Sequence, residues 1–150
     1  MKQSILQKIL LVIVGVLLLA ILSACSGAQP VEGAERDEIL AKAEPIADSL
    51  FQGMLNHDYA AFARDFDPTM QKAMDEKAFQ AMLSTIDPVI GKYQSREVAK
   101  VEKVGKFGAV TYTVRYEQEE AVSWRVVVTP GDALQVSGLW YDSPKLRAKK

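Results

Sequence analysis

Val110-Thr111-Tyr112-Thr113-Val114-Arg115-Tyr116 and, after a short acidic gap, Val122-Ser123-Trp124-Arg125-Val126-Val127-Val128 carry the pattern that decides the fold. Apolar and polar residues alternate with a period of two, which an extended strand sorts onto opposite faces. One face holds Val110, Tyr112, Val114, Tyr116, Val122, Trp124, Val126 and Val128, and the other holds Thr111, Thr113, Arg115, Ser123, Arg125 and Thr129. Keeping the faces matched constrains the hairpin between the two strands. A two-residue turn at Gln118-Glu119 would set Val114 opposite Ser123 and mix the faces. Loops of three or five residues set Val114 opposite Val122 or Trp124 instead, so an odd-length loop is expected.

Outward from this hairpin, the same period predicts four strands, at about 93–104, 107–117, 120–129 and 133–141. Gly105 marks the first turn, and Pro130-Gly131 suits the centre of a type II turn in the last. Upstream, the apolar spacing changes to three and four. Ile39, Ala43, Ile46, Leu50 and Met54 predict a helix over 34–56, with a kink or restart at Pro45. Asn56-His57-Asp58 is a helix stop followed by an N-cap. Tyr59, Phe62 and Phe66 form the stripe of a second helix, which Asp67-Pro68 breaks. A third helix over 75–90 buries Phe79, Met82, Leu83, Ile86 and Val89 or Ile90, with Gly91 as its stop. Three helices followed by an antiparallel meander is an α+β layout, with the helices packed on one face of a four-stranded sheet.

The N-terminal stretch has a different character. Lys2 and Lys8 precede an apolar run of 14 residues, Ile9 to Leu22, which is short of the roughly 20 needed to span hydrocarbon. Leu22-Ser23-Ala24-Cys25 follows, with small residues before the only cysteine. Residues 1–26 resemble bacterial lipoprotein precursors. The resemblance implies diacylglyceryl transfer to the Cys25 thiol, removal of residues 1–24, and a membrane partner reached through the lipidated cysteine on the extracytoplasmic side of a cell envelope. Two or three acyl chains, at about 0.8 kcal/mol per buried CH₂, make such attachment close to permanent. Asp after the cysteine is the retention signal of sorted lipoproteins in two-membrane bacteria, and Ser26 stands there instead.

The expected mature chain has 126 of the 150 residues, enough for one domain. Residues 25–33 form a flexible tether with a reach on the order of 15 Å; residues 34–143 form the domain, and 144–150 a basic tail containing Lys145, Arg147, Lys149 and Lys150. Losing Lys2 and Lys8 leaves 16 basic against 19 acidic residues, a balance that argues against a nucleic-acid partner. The plain role of the tail is a solvated end, and its sharper one is contact with anionic lipid or wall polymer. With one cysteine the domain has no internal disulfide, so stability rests on burial.

Gly53-Met54-Leu55-Asn56-His57-Asp58-Tyr59, Phe66-Asp67-Pro68-Thr69-Met70 and Val136-Ser137-Gly138-Leu139-Trp140 resemble an uncharacterised group of bacterial exported proteins with a nuclear-transport-factor-2-like fold. The resemblance spans about residues 35–143. It implies a curved sheet wrapped around helices as a cone, with an apolar pocket at its open end. Tyr112, Trp124 and Trp140 are the candidate pocket residues, with core filling as their plainer role. Relatives of this fold dimerise through the outer sheet face, which nominates Thr113, Arg115, Arg125, Ser137 and Leu139 as an interface.

Catalytic residues are hard to assemble. Similar isomerases need an acidic base and a hydrogen-bond donor inside the pocket, and the inward strand positions offer no Asp, Glu or His. His57 is the only histidine and sits between two helices, where a helix-end role is the plain one. No metal-ligand spacing or phosphate loop occurs, so no cofactor is expected. The expectation is a non-catalytic, membrane-anchored lipoprotein whose small domain binds a ligand, an envelope protein or a second copy. The alternative is an isomerase-, dehydratase- or cyclase-type enzyme acting on a small apolar substrate. A buried carboxylate beside Tyr112 or Trp124 favours the enzyme, and a fully packed apolar interior favours the binding module.

Overall fold

The period-two stretch forms the middle of the sheet. A computed structural model describes residues 27–149. Cys25, Ser26 and the apolar run before them lie outside the described residues. In chain order the elements are β1 (Gln29–Pro30), α1 (Gly33–Asn56), α2 (Tyr59–Phe62), α3 (Pro68–Ala73), α4 (Glu76–Ile90), β2 (Tyr93–Val104), β3 (Phe107–Tyr116), β4 (Glu119–Val128), β5 (Val136–Asp142) and α5 (Pro144–Ala148). The five strands lie in the order β1-β2-β3-β4-β5, every neighbour antiparallel. Among the described residues no helix is long and apolar enough to cross a membrane.

The α+β class with helices first and a meander second holds, but the counts differ from expectation. The fifth strand is made by the expected tether. Gln29 and Pro30 pair with Lys103 and Glu102, and Val31 is buried with its N–H donating to Val101 O at 3.0 Å. Pro30 is tolerated because β1 is an edge strand. Among the described residues five helices replace three: α3, capped by Asp67, follows the break at Asp67-Pro68, and α5, capped by Ser143, forms in the expected basic tail. Asp58, Asp67 and Asp75 accept from the N–H groups of Ala61, Met70 and Ala78 respectively. Phe66 consequently lies outside any helix, in a parallel bridge with Val136. α1 passes through Pro45 unbroken and ends at His57, which adopts the left-handed conformation at φ 56.

The strand faces match expectation. All eight apolar residues assigned to the inner face of β3 and β4 are buried, and Val110 pairs with Val126 and Val114 with Val122. The connection differs. A two-residue turn, Glu117-Gln118, joins Tyr116 to Glu119, and a bulge between Val114 and Tyr116 supplies the odd residue that keeps the faces matched. Pro130-Gly131 does not form a tight turn either. The loop is wider, closed by Thr129 N–H donating to Gln135 O at 2.8 Å and Gln135 N–H to Thr129 Oγ1 at 2.9 Å.

A second bulge, at Ser137, moves two nominated residues. Simple alternation from Val136 puts Leu139 outside and Trp140 inside. The extra residue flips everything after it, so Leu139 pairs with Val126 and packs on the core, while Trp140 pairs with Arg125 on the outer face.

Candidate functional site

The space between α1 and the inner sheet face is filled, and Phe51 is its centre. Its ring stacks on Tyr93 at 5.0 Å and meets Tyr112 and Trp124 edge-on at 5.9 and 5.7 Å. Phe51, Tyr112 and Trp124 are all essentially without solvent exposure. Trp124 stacks on Tyr141 at 4.9 Å. Of the three nominated pocket residues, Tyr112 and Trp124 are therefore core, and Trp140 lies on the opposite side of the sheet.

A polar strap closes one side of this interior. Arg96, on the inner side of β2, lies over the rings of Phe51 and Tyr112 and pairs with Glu44 at 2.8 Å and Asp48 at 2.7 Å. Glu44 and Asp48 are four residues apart, which places them on one face of α1. The Tyr112 hydroxyl donates to Glu44 Oε1 at 2.9 Å. Burial, reinforced by the Glu44 charge, pushes the Tyr112 phenol above its ordinary pKa and keeps it protonated. Burial works against the Arg96 charge, but hydrogen bonds with Tyr93 and Asp48 and the Glu44 carboxylate outweigh it, raising its pKa. Glu44 is thus the carboxylate beside Tyr112. Its side chain is 39% exposed and already held by a cation, which is the arrangement of an ion-pair strap.

The outer sheet face carries a different constellation. Glu102, buried on this face, accepts from Lys100 Nζ at 2.7 Å and from Arg125 Nη1 at 2.5 Å. The hydrogen bond from Lys100, and then Arg125, hold its carboxyl below the usual carboxylate range against the opposing effect of burial. Beside this pair, Val104, Phe107, Arg125, Val127 and Trp140 line a shallow depression of about 330 Å³. Trp140 is 58% exposed. Its ring folds back over Gly138, where a β-carbon would fall 2.5 Å from Cζ3, so the glycine makes the place in which the indole lies. Thr113 and Arg115 are exposed on the same face, and Ser137 sits in the bulge, its hydroxyl donating to Val127 O at 3.5 Å.

A second pocket, of about 230 Å³, opens between the start of α1 and the end of β2, with Ile39, Gly108 and Leu134 among its apolar lining. On its charged rim Lys103 pairs with Glu35 and Lys42 with Glu38 and Asp132, while Lys106 has no acidic partner among the described residues. His57 takes the helix-end place expected of it, with Nε2 2.8 Å from Asp87 Oδ2. Among the described residues no group of three or more His, Cys, Asp or Glu could hold a metal ion.

Sequence reasoning missed Arg96, Glu44 and Glu102. The available signal was a charged residue at an inward register position in β2, and pairing it with α1 requires the fold. Residues 47–128 match a family described as "Protein of unknown function (DUF3887)". The matched segment runs from within α1 to the end of β4, so it contains Phe51, Gly53, Tyr112 and Trp124 and stops before Trp140. No curated protein and no solved structure matches the chain. Because more than half of the chain is matched, the chain belongs to the DUF3887 family.

Proposed function

We propose that this chain is a lipoprotein of a bacterial cell envelope, acylated at Cys25 after removal of residues 1–24, and that it acts without catalysis by binding through the outer face of its sheet. The lipobox Leu22-Ser23-Ala24-Cys25 behind a short apolar run supports the anchor. Helices followed by an antiparallel meander, with one sheet face covered by α1, support a nuclear-transport-factor-2-like cone whose interior is filled by side chains.

One observation carries the binding role: the interior is packed with aromatics, while the large exposed indole of Trp140 lies over an apolar depression on the free face. Isolated exposed apolar residues are ordinary, but a tryptophan rimmed by Val104, Phe107, Val127 and Arg125 has the make-up of an interface centre. The favoured partner is a second copy of this chain. Adjacent rows across the outer face read Glu97-Thr113-Ser123-Asp142 and Lys100-Thr111-Arg125-Trp140. A two-fold-related copy would set the Trp140 indole and apolar depression of one against those of the other, since Lys100 and Arg125 are held by Glu102 and Asp142 by Arg147 within each chain.

Cross-linking of the full chain in membranes tests this. The wild type is expected to give a dimer, and Trp140→Glu to lower its yield at least tenfold, since a central tryptophan contributes about 2 kcal/mol or more. A monomer at every expression level, or an unchanged dimer in Trp140→Glu, would remove the role of this face. The enzyme reading draws on the Glu44–Tyr112 pair alone, and it would need Glu44 to leave Arg96 before acting as a base.

A further inference from the structure

Resting on the lipid anchor at Cys25, we infer that the domain stands on the bilayer with its β2–β3 turn, Gly105-Lys106-Phe107, against the lipid headgroups and its strands running away from the surface. The direction of β1 carries this. β1 is antiparallel to β2, with Gln29 opposite Lys103 and Pro30 opposite Glu102. Followed backwards from Gln29, the chain therefore heads towards Val104 and the β2–β3 turn. Docking of Gln29, Pro30 and Val31 on β2 leaves only Ser26, Gly27 and Ala28 between the sheet and the acylated cysteine. Four residue steps span at most about 14 Å when fully extended. The turn tip projects two to three residues beyond Gln29, about 7–10 Å further towards the anchor. A tether that short holds the tip at the level of the headgroups.

The tip suits that place. Lys106 has no acidic partner among the described residues, and its ammonium lies over the Phe107 ring at 5.5 Å. A lysine and a half-buried phenylalanine can share an interface, the ring towards the acyl boundary and the ammonium towards phosphate. The surrounding charges are matched by Lys103 with Glu35 and Lys42 with Glu38 and Asp132. The covalent tether, and not a basic patch, therefore sets the orientation. The basic tail stands at the other end: α5 starts beside the β3–β4 turn, where Lys145 N–H donates to Glu119 Oε1 at 3.0 Å and Lys145 Nζ donates to Gln118 O. The ten residues of β3 separate the two ends by roughly 33 Å. That distance is several Debye lengths of about 8 Å, so Lys145 and Lys149 are out of electrostatic reach of the bilayer.

The test uses the full lipidated protein, whose only other thiol is acylated, carrying Lys106→Cys or Gln118→Cys and a thiol-attached fluorophore. It is reconstituted in vesicles of phosphatidylethanolamine and phosphatidylglycerol. A nitroxide-bearing lipid is expected to quench the label at 106 several-fold more than the label at 118, and aqueous iodide to show the reverse order. The difference is expected to persist at high salt. Equal quenching at the two positions in protein shown by mass to be acylated would overturn the orientation and leave the anchor standing. A difference abolished by salt would assign the orientation to charge and overturn the tether argument. Protein lacking the acyl groups would overturn both.

Discussion

Phe51→Ala is expected to lower stability by about 4 kcal/mol, the middle of the range for removing a buried aromatic side chain. Phe51 has no solvent exposure and touches every layer of the interior: Tyr93 from β2, Tyr112 from β3, Trp124 from β4 and the Arg96 guanidinium. Truncation leaves a void between α1 and the sheet. It also removes several aromatic pairings, each worth about 0.5–1.5 kcal/mol beyond area burial. For a domain with a total stability of about 5–15 kcal/mol this is a large fraction. At a slope of about 1–3 kcal/mol per molar urea, the midpoint should fall by roughly 2 M. Trp140→Ala, on the exposed face, should cost under about 1 kcal/mol in the same assay. Equal losses in the two variants would mean that the interior is not the filled core described here.

Gly53→Ala carries the second large effect, and its sign separates local propensity from packing. In an isolated helix the change favours folding by about 1 kcal/mol. Here the backbone of α2 lies directly on Gly53. A β-carbon would meet Phe62 Cα at 2.7 Å and the Asp58 carbonyl oxygen at 2.8 Å, both backbone atoms with little room to yield. The Ser49 hydroxyl, donating to Ala61 O at 2.8 Å, pins the same contact from one turn away. Gly53→Ala is therefore expected to destabilise by about 3 kcal/mol, the upper end of ordinary overpacking. Urea unfolding reads it directly, and a stabilised variant would show that α2 does not approach α1 as described.

The parts of the fold legible in the sequence are those set by a repeating local period. The inner faces of β3 and β4 follow from alternation because a single-residue slip would bury Thr113 and Arg115. The stop at His57, the cap at Asp58, the break at Asp67-Pro68 and the turn glycine at Gly91 follow because each residue answers a local backbone demand. What escaped depends on single insertions or on distance. The bulge at Ser137 carries no marker residue, yet it exchanges the places of Leu139 and Trp140 and so moves the candidate site to the other side of the sheet. Residues 29–31, with neighbours that read as a tether, become a strand only because β2 offers an open edge there. The strap of Arg96, Glu44 and Tyr112 joins residues 52 and 68 positions apart, which no local pattern encodes. The interior was expected to be either pocket or core, and only the meeting of α1 with the sheet decides it, through Phe51.

Anchoring through Cys25 underlies both the proposed role and the orientation on the bilayer. Intact-mass measurement of the protein extracted from membranes of its producing cell tests it most directly. The predicted species begins at Cys25, lacks residues 1–24 and carries the added mass of a diacylglyceryl group, with or without a further acyl chain on the amino group. A soluble species that retains Met1 and an unmodified Cys25 thiol would contradict it.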